Sequence, residues 1–213
     1  MDWGELRRLT PIDDAFGLGR GRPIDRHYIE GFLARHADDV RGRVLEVGES
    51  TYTRRFGGNR VTRADVLHMD RDHPGATVVA DLTDAPHVAD ASFDCFVCTQ
   101  TLTYVHDLPA AVRTAHRMLA VAGTFLVTVP GISQTSPYDR MRWGEHWRFT
   151  TDSLERLLGD AFGPGNVQVE SHGNVLAAIA FLHGLACEDV SASELDHRDE
   201  RYPLVVCARA VRR

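Results

Sequence analysis

The stretch Val44-Leu45-Glu46-Val47-Gly48-Glu49-Ser50-Thr51-Tyr52 constrains this chain more than any other. A short apolar run (Val44, Leu45, Val47) stops at Gly48 and gives way to polar residues. The pattern predicts a buried strand running into a tight turn whose backbone comes close to a ligand. Parallel strands buried on both faces read this way, and open α/β sheets take ligands at the carboxyl ends of such strands. Glu46 interrupts the run. A carboxylate there is costly unless it is hydrogen-bonded, so it is either paired or reaching for a ligand.

The rest of the chain alternates strand and helix signals. Residues 1–24 carry Gly17, Gly19, Gly21 and Pro23 among charges and predict an irregular lead-in. Ile24, Tyr28, Ile29, Phe32 and Leu33 predict a helix over 24–37, with Asp25 as its cap. Strands are predicted over 60–67, 76–83, 90–99 and 125–130. A helix is expected over 108–119, a turn at Ala122-Gly123-Thr124, and a second helix over 151–162 capped by Thr151 or Asp152. Only a few residues separate Tyr52 from Arg60, so that crossover is a single turn or a loop. A strand over 165–173, an apolar helix over 174–187 and a last strand over 202–210 close the chain. Asp65 lies 19 residues beyond Glu46. In nucleotide-binding βαβ units an acid at about 20 residues accepts hydrogen bonds from ribose hydroxyls.

Composition removes several classes. The 213 residues suit one α/β domain spanning 1–213, with a lead-in and helix over 1–38 and an insertion over 131–153. A formal net charge of −6 and no long basic run argue against nucleic acid. The polar first ten residues and the absence of a long apolar run predict a cytoplasmic protein without a membrane span. Cys95 and Cys98 form a Cys-x-x-Cys inside a strand-like segment, with no second pair. They read as small core residues rather than metal ligands, and no metal is expected.

In the order hydrophobic-hydrophobic-acid-hydrophobic-Gly, the opening stretch resembles the first motif of the class I S-adenosylmethionine-dependent methyltransferases. The match holds through Glu46 and Gly48. Ser50 and Tyr52 then stand where that family has its second and third glycines. Ser92-Phe93-Asp94 before the fourth strand resembles the family too, as does the run of helix, Ala122-Gly123 turn and apolar strand. The resemblance implies a doubly wound, Rossmann-like, seven-stranded sheet, mostly parallel with an antiparallel last strand and helices on both faces. It implies S-adenosylmethionine as cofactor, contacted by Glu46, Gly48, Glu49, Ser50, Asp65, Val66, Asp81, Leu82, Thr99 and Gln100. Asp81 and Leu82 match the family's adenine-side acid and its neighbour.

The insertion over 131–153 holds two tryptophans, Trp143 and Trp147, and reads as a substrate lid. By position, Tyr28, Tyr104, Tyr138, Arg142, Trp143, Trp147 and Arg148 are the candidate substrate contacts. A base is needed only where the acceptor must lose a proton, and His106 and His146 are the candidates. His68 and His73 read as solvated. Later blocks, among them Gln100 to Val105 and Trp147 to Thr150, resemble bacterial methyltransferases of saccharide or secondary-metabolite biosynthesis. That implies a small-molecule acceptor methylated at a hydroxyl or amine, and leaves a homodimer open. One rival is a binding module that kept the fold without turnover, because the second and third glycines are missing. An NAD-linked oxidoreductase needs Gly-x-Gly-x-x-Gly opening a helix, which this chain lacks.

Overall fold

The computed structural model describes residue 4 and residues 7–213. Residues 1–3, 5 and 6, part of the polar leader read from the sequence, lie outside the described residues. Seven strands form one sheet: β1 (Gly42–Val47), β2 (Val61–His68), β3 (Val78–Val79), β4 (Phe93–Thr99), β5 (Leu119–Pro130), β6 (Val167–His172) and β7 (Val205–Val211). Their order is β3-β2-β1-β4-β5-β7-β6. β7 runs antiparallel to both β5 and β6, and the other pairings are parallel. The strand order reverses between β1 and β4, and a doubly wound sheet binds its ligand at that switch point.

Helices pack on both faces. α2 (Leu108–Met118) and α4 (Thr151–Phe162) cover one face through Ala111, Ala115, Leu154 and Leu158. α1 (Ile24–Arg35) and α5 (Val175–Leu182) cover the other through Ile29, Phe32, Ala177 and Phe181. Alternation along the central strands feeds both layers. In β5, Phe125, Val127 and Val129 enter the first layer and Leu126 the second. Cys95 and Cys98 point into opposite layers for the same reason, which separates the two thiols. Two short helices, α3 (Pro137–Trp143) and α6 (Ala192–Asp196), complete the set. Among the described residues no helix is long and apolar enough to cross a membrane.

Several expected boundaries move. The Ala122-Gly123-Thr124 turn is absorbed into β5, which runs straight on from α2, with Ala122 at φ +63° where the strand is irregular. Asp25 is not the α1 cap: Pro23 holds that position and Asp25 sits in the first turn. Thr150 caps α4, taking the Ser153 N–H. β3 is only two residues long, and the apolar helix ends at Leu182. Between β1 and β2 the crossover is helical throughout residues 51–60, passing through a π segment (Thr53–Gly57) into a 3₁₀ turn (Gly58–Arg60), so it is more than the single turn or loop expected from the spacing.

The sheet's far edge is stapled by charge. Glu170 on β6 pairs with Arg35 of α1 and with His172. His172 and Arg35 together outweigh partial burial and hold the Glu170 carboxyl down to about 2, from an ordinary value near 4.5. The folded value lies below the unfolded one. Its stabilisation is therefore complete above about pH 4.5 and is lost as pH falls toward 2. Urea unfolding across that window will show a falling midpoint in the wild type. Glu170→Gln will flatten the Glu170 share of that fall, and an unaltered profile would remove the staple.

Candidate active site

The opening strand delivers its turn at the switch point. β1 ends at Val47, and Gly48 follows with φ +84°, a conformation that favours glycine. Glu46 is 3% exposed, and its two oxygens accept the backbone N–H groups of Tyr52 (3.2 Å) and Thr53 (2.7 Å). It thus braces the turn from beneath. Burial raises its carboxyl above the usual range, against the pull of those donors.

A cavity of 720 Å³ opens above the carboxyl ends of β1, β2 and β4. Val47 and Gly48 form one wall, Leu67, His68 and Met69 another, and Asp81 with Leu82 the far end. Thr99 and Gln100 lie at its centre, and His106, Arg142, Trp143 and His146 stand around it. Gln100 is a non-glycine residue at φ +52°, tied by its N–H to the Thr128 carbonyl (2.7 Å). Backbone in a sparsely populated region tends to cluster at functional sites. The rings of His106 and His146 meet edge-to-face at 5.3 Å.

A second cavity, of 220 Å³, lies over β4, β5 and β7, with Pro130 and Val205 at its floor. Asp25, Arg26, Ser133 and Glu145 also line it. The two cavities share Gln100, Tyr104 and Asp139. Asp139 accepts from the Ser136 hydroxyl at 2.7 Å and from the Tyr104 hydroxyl at 3.3 Å, which holds the start of α3 over the junction. Burial is the main reason the Tyr104 phenol is pushed well up, with the Asp139 charge adding to it.

Other expected residues stand elsewhere. Asp65 is 1% exposed and lines neither cavity. It accepts from Arg43 (2.7 Å), Arg63 (3.0 Å) and the Thr77 hydroxyl (2.9 Å). Burial would raise its carboxyl, but Arg43, Thr77 and Arg63 outweigh it and hold it below the usual range. Its oxygens are spent inside the protein, so the ribose role expected for Asp65 is corrected. Register explains the error: Leu45 pairs with Asp65, so Asp65 lies three residues short of the strand's end at His68.

Val66 is buried beside Asp65, and its N–H donates to the Thr77 hydroxyl. Glu49 and Ser50 belong to the turn and line neither cavity; Glu49 accepts from the Thr51 hydroxyl. Tyr28 is buried, donates to the Leu195 carbonyl and stacks on His172, away from both cavities. Trp147 donates its indole N–H to the Val105 carbonyl at 2.9 Å. Arg148 is taken up by Glu145 and by the carbonyls of Gln134 and Trp147. Both brace the insertion. Tyr138 is exposed, with the Arg142 guanidinium over its ring at 4.0 Å.

His68 was read as solvated but lines the larger cavity. It stacks on His73 at 4.1 Å and meets the Trp143 ring edge-on at 5.9 Å. Its Nδ1 is held against the Asp70 backbone, 3.0 Å from the N–H and 3.3 Å from the carbonyl oxygen. The signal for it was strand length: counting β2 onward from Val61 puts His68 at the carboxyl edge.

Residues 30–127 match a family model described as a methyltransferase domain. Solved structures share the fold. An S-adenosylmethionine-dependent methyltransferase from Mesorhizobium loti is 20% identical with TM-score 0.58, covering 89% of this chain and 100% of its own. One from Archaeoglobus fulgidus is 11% identical with TM-score 0.57, covering 88% and 94%. The N-methyltransferase NodS from Bradyrhizobium japonicum is 15% identical with TM-score 0.53, covering 89% and 97%. At such identities the likeness is one of fold. No curated protein matches the chain. The family match, over 98 of the 213 residues, and the sheet order are those of a methyltransferase domain built on a Rossmann-like sheet. S-adenosylmethionine is the cofactor that such a domain implies.

The residues present fit that molecule. A Cβ added at Gly48 would meet no atom within 4 Å, so the space it would fill is open cavity. A glycine here leaves a cradle at the end of β1, and the larger residues at 50 and 52 do not close it.

Asp65→Asn tests the corrected role. It removes a charged acceptor from two guanidinium groups and will lower the unfolding free energy by about 2 kcal/mol. The affinity of the folded variant for S-adenosylhomocysteine, measured by calorimetry, will stay within about twofold, because an intramolecular pair contributes no ligand contact. A large loss of affinity would restore the ribose role.

Proposed function

We propose that this chain transfers the methyl group of S-adenosylmethionine to a hydroxyl or amine of a small-molecule acceptor, of the sugar or glycosylated natural-product class. One observation carries the reading: two cavities lie side by side over the carboxyl edge of the sheet and meet at Gln100, Tyr104 and Asp139. The larger suits the donor and the smaller the acceptor.

When bound, the donor supplies a sulfonium-held methyl group for in-line displacement. In this reading Gly48, Leu67, His68, Asp81, Leu82 and Thr99 hold the donor. Gln100 and Tyr104 face both cavities and hold the reacting groups in line. Such positioning contributes about 7–11 kcal/mol to a two-substrate reaction. Trp143, Arg142 and His146 of the insertion, with His106, flank the mouth of the donor cavity. His106 and His146 are the candidate bases for a hydroxyl acceptor. The polar lining of the smaller cavity, with Thr103, Ser133 and Gln134 among its residues, supports a polyhydroxylated acceptor.

Transfer of radiolabelled methyl from S-adenosylmethionine to a panel of sugars, aminosugars and glycosides tests the reading directly. Label in a product will support it, and donor binding without transfer to any member would contradict it. Gly48→Ala will cost about 1–2 kcal/mol in backbone strain. It will also place a methyl group in the donor cavity, so donor affinity will fall by more than the stability loss explains. If either histidine is the base, its alanine variant will lose about 10²–10⁴-fold in turnover with donor affinity kept. Near-normal turnover in both variants would remove that role.

A further inference from the structure

Beside the smaller cavity lies a buried carboxylate oxygen with no hydrogen-bond partner among the described residues. Asp25 lines it, and its Oδ1 is fully buried without a hydrogen-bond partner. Buried polar atoms are almost always paired, so an unpaired one on a residue that lines a cavity marks a place for a ligand donor.

The other charged groups of that wall are committed. Arg26 donates to the Tyr52 hydroxyl at 2.9 Å. Asp139 takes the Ser136 and Tyr104 hydroxyls. Glu145 takes the Ser136 N–H and the Arg148 guanidinium. Among the residues lining the cavity, three carboxylates (Asp25, Asp139, Glu145) face one guanidinium, Arg26. A cation is the electrostatic complement of that lining, and a hydroxyl would satisfy the oxygen without the charge.

Resting on the acceptor assignment above, we propose that Asp25 anchors a protonated amine of the acceptor substrate, so that the acceptor is an amine-bearing small molecule. Asp25 stands in the first turn of α1, where the exposed amide groups favour an anion. Burial nevertheless raises its carboxyl above the usual range, with the Arg26 charge opposing. An ammonium group supplies both the missing hydrogen bond and the missing charge. Aminosugars fall within this class, as do simple amino alcohols. Asp25 acts here as a binding and specificity residue, apart from the reacting atoms.

Ligand-observed NMR tests this with small amines and amino alcohols against their uncharged alcohol counterparts. Each is offered to the chain loaded with S-adenosylhomocysteine and to the unloaded chain. The amines will bind the wild type about tenfold more tightly than the alcohols. Asp25→Asn, which keeps the shape and removes the charge, will abolish that preference while holding S-adenosylhomocysteine affinity within about twofold. Amines that fail to bind the wild type, or bind the Asn variant equally well, overturn the proposal. Failure of the wild type to bind S-adenosylhomocysteine is a different result: it overturns the donor reading, while the amine comparison on the unloaded chain still decides the role of Asp25.

Discussion

Everything at the ligand edge hangs from the Glu46 carboxylate. It lies within the first strand, nearly sealed from water, and accepts two consecutive backbone N–H groups from the turn that follows. Each of those donors would cost about 1–3 kcal/mol if left buried and unpaired. The constraint is reciprocal, because the carboxylate could not be buried without them either. The crossover between β1 and β2 is a short, irregular helical segment, and this bridge pins its start. With the turn fixed, Gly48 faces open space and the donor cavity keeps its near wall.

A second buried carboxylate does different work. Asp65 ties β1 to β2 through Arg43, and β2 to the residues before β3 through Thr77. β3 is only two residues long, so this cluster supplies cohesion that strand pairing there does not. Breaking a buried charged cluster costs more than rim pairs do, since a partner is left uncompensated. Glu46 and Asp65 thus serve the site by shaping it. Asp25 differs from both, because its buried Oδ1 has no hydrogen-bond partner among the described residues.

Much of the architecture was legible in the sequence. Apolar runs ending in small or polar residues placed most of the strands, whereas the short gap after Tyr52 concealed an irregular helical crossover. The site was less legible, for identifiable reasons. Asp65 has the spacing of a ribose acid, but residue counting ignores register, which puts it inside β2 and beside two arginines. His68 was missed because the expected strand stopped one residue short of it, whereas β2 runs on to His68. Tyr28 and Trp147 are aromatic residues that the fold uses as hydrogen-bonded packing. Asp25 read as a helix cap because an acid before an apolar periodic run often is one. Its cavity is built by segments from the other end of the chain, including Phe181 and Val205, which no local window contains.

A crystal structure of the chain with S-adenosylhomocysteine tests the central claim most directly: donor and acceptor occupy two adjoining cavities that meet at Gln100 and Tyr104. The predicted result is ligand between Gly48 and the Asp81-Leu82 segment, with its sulfur end at Gln100 and the cavity beside Asp25 left open. Ligand filling the cavity beside Asp25, or lying with its sulfur end away from Gln100, would contradict it.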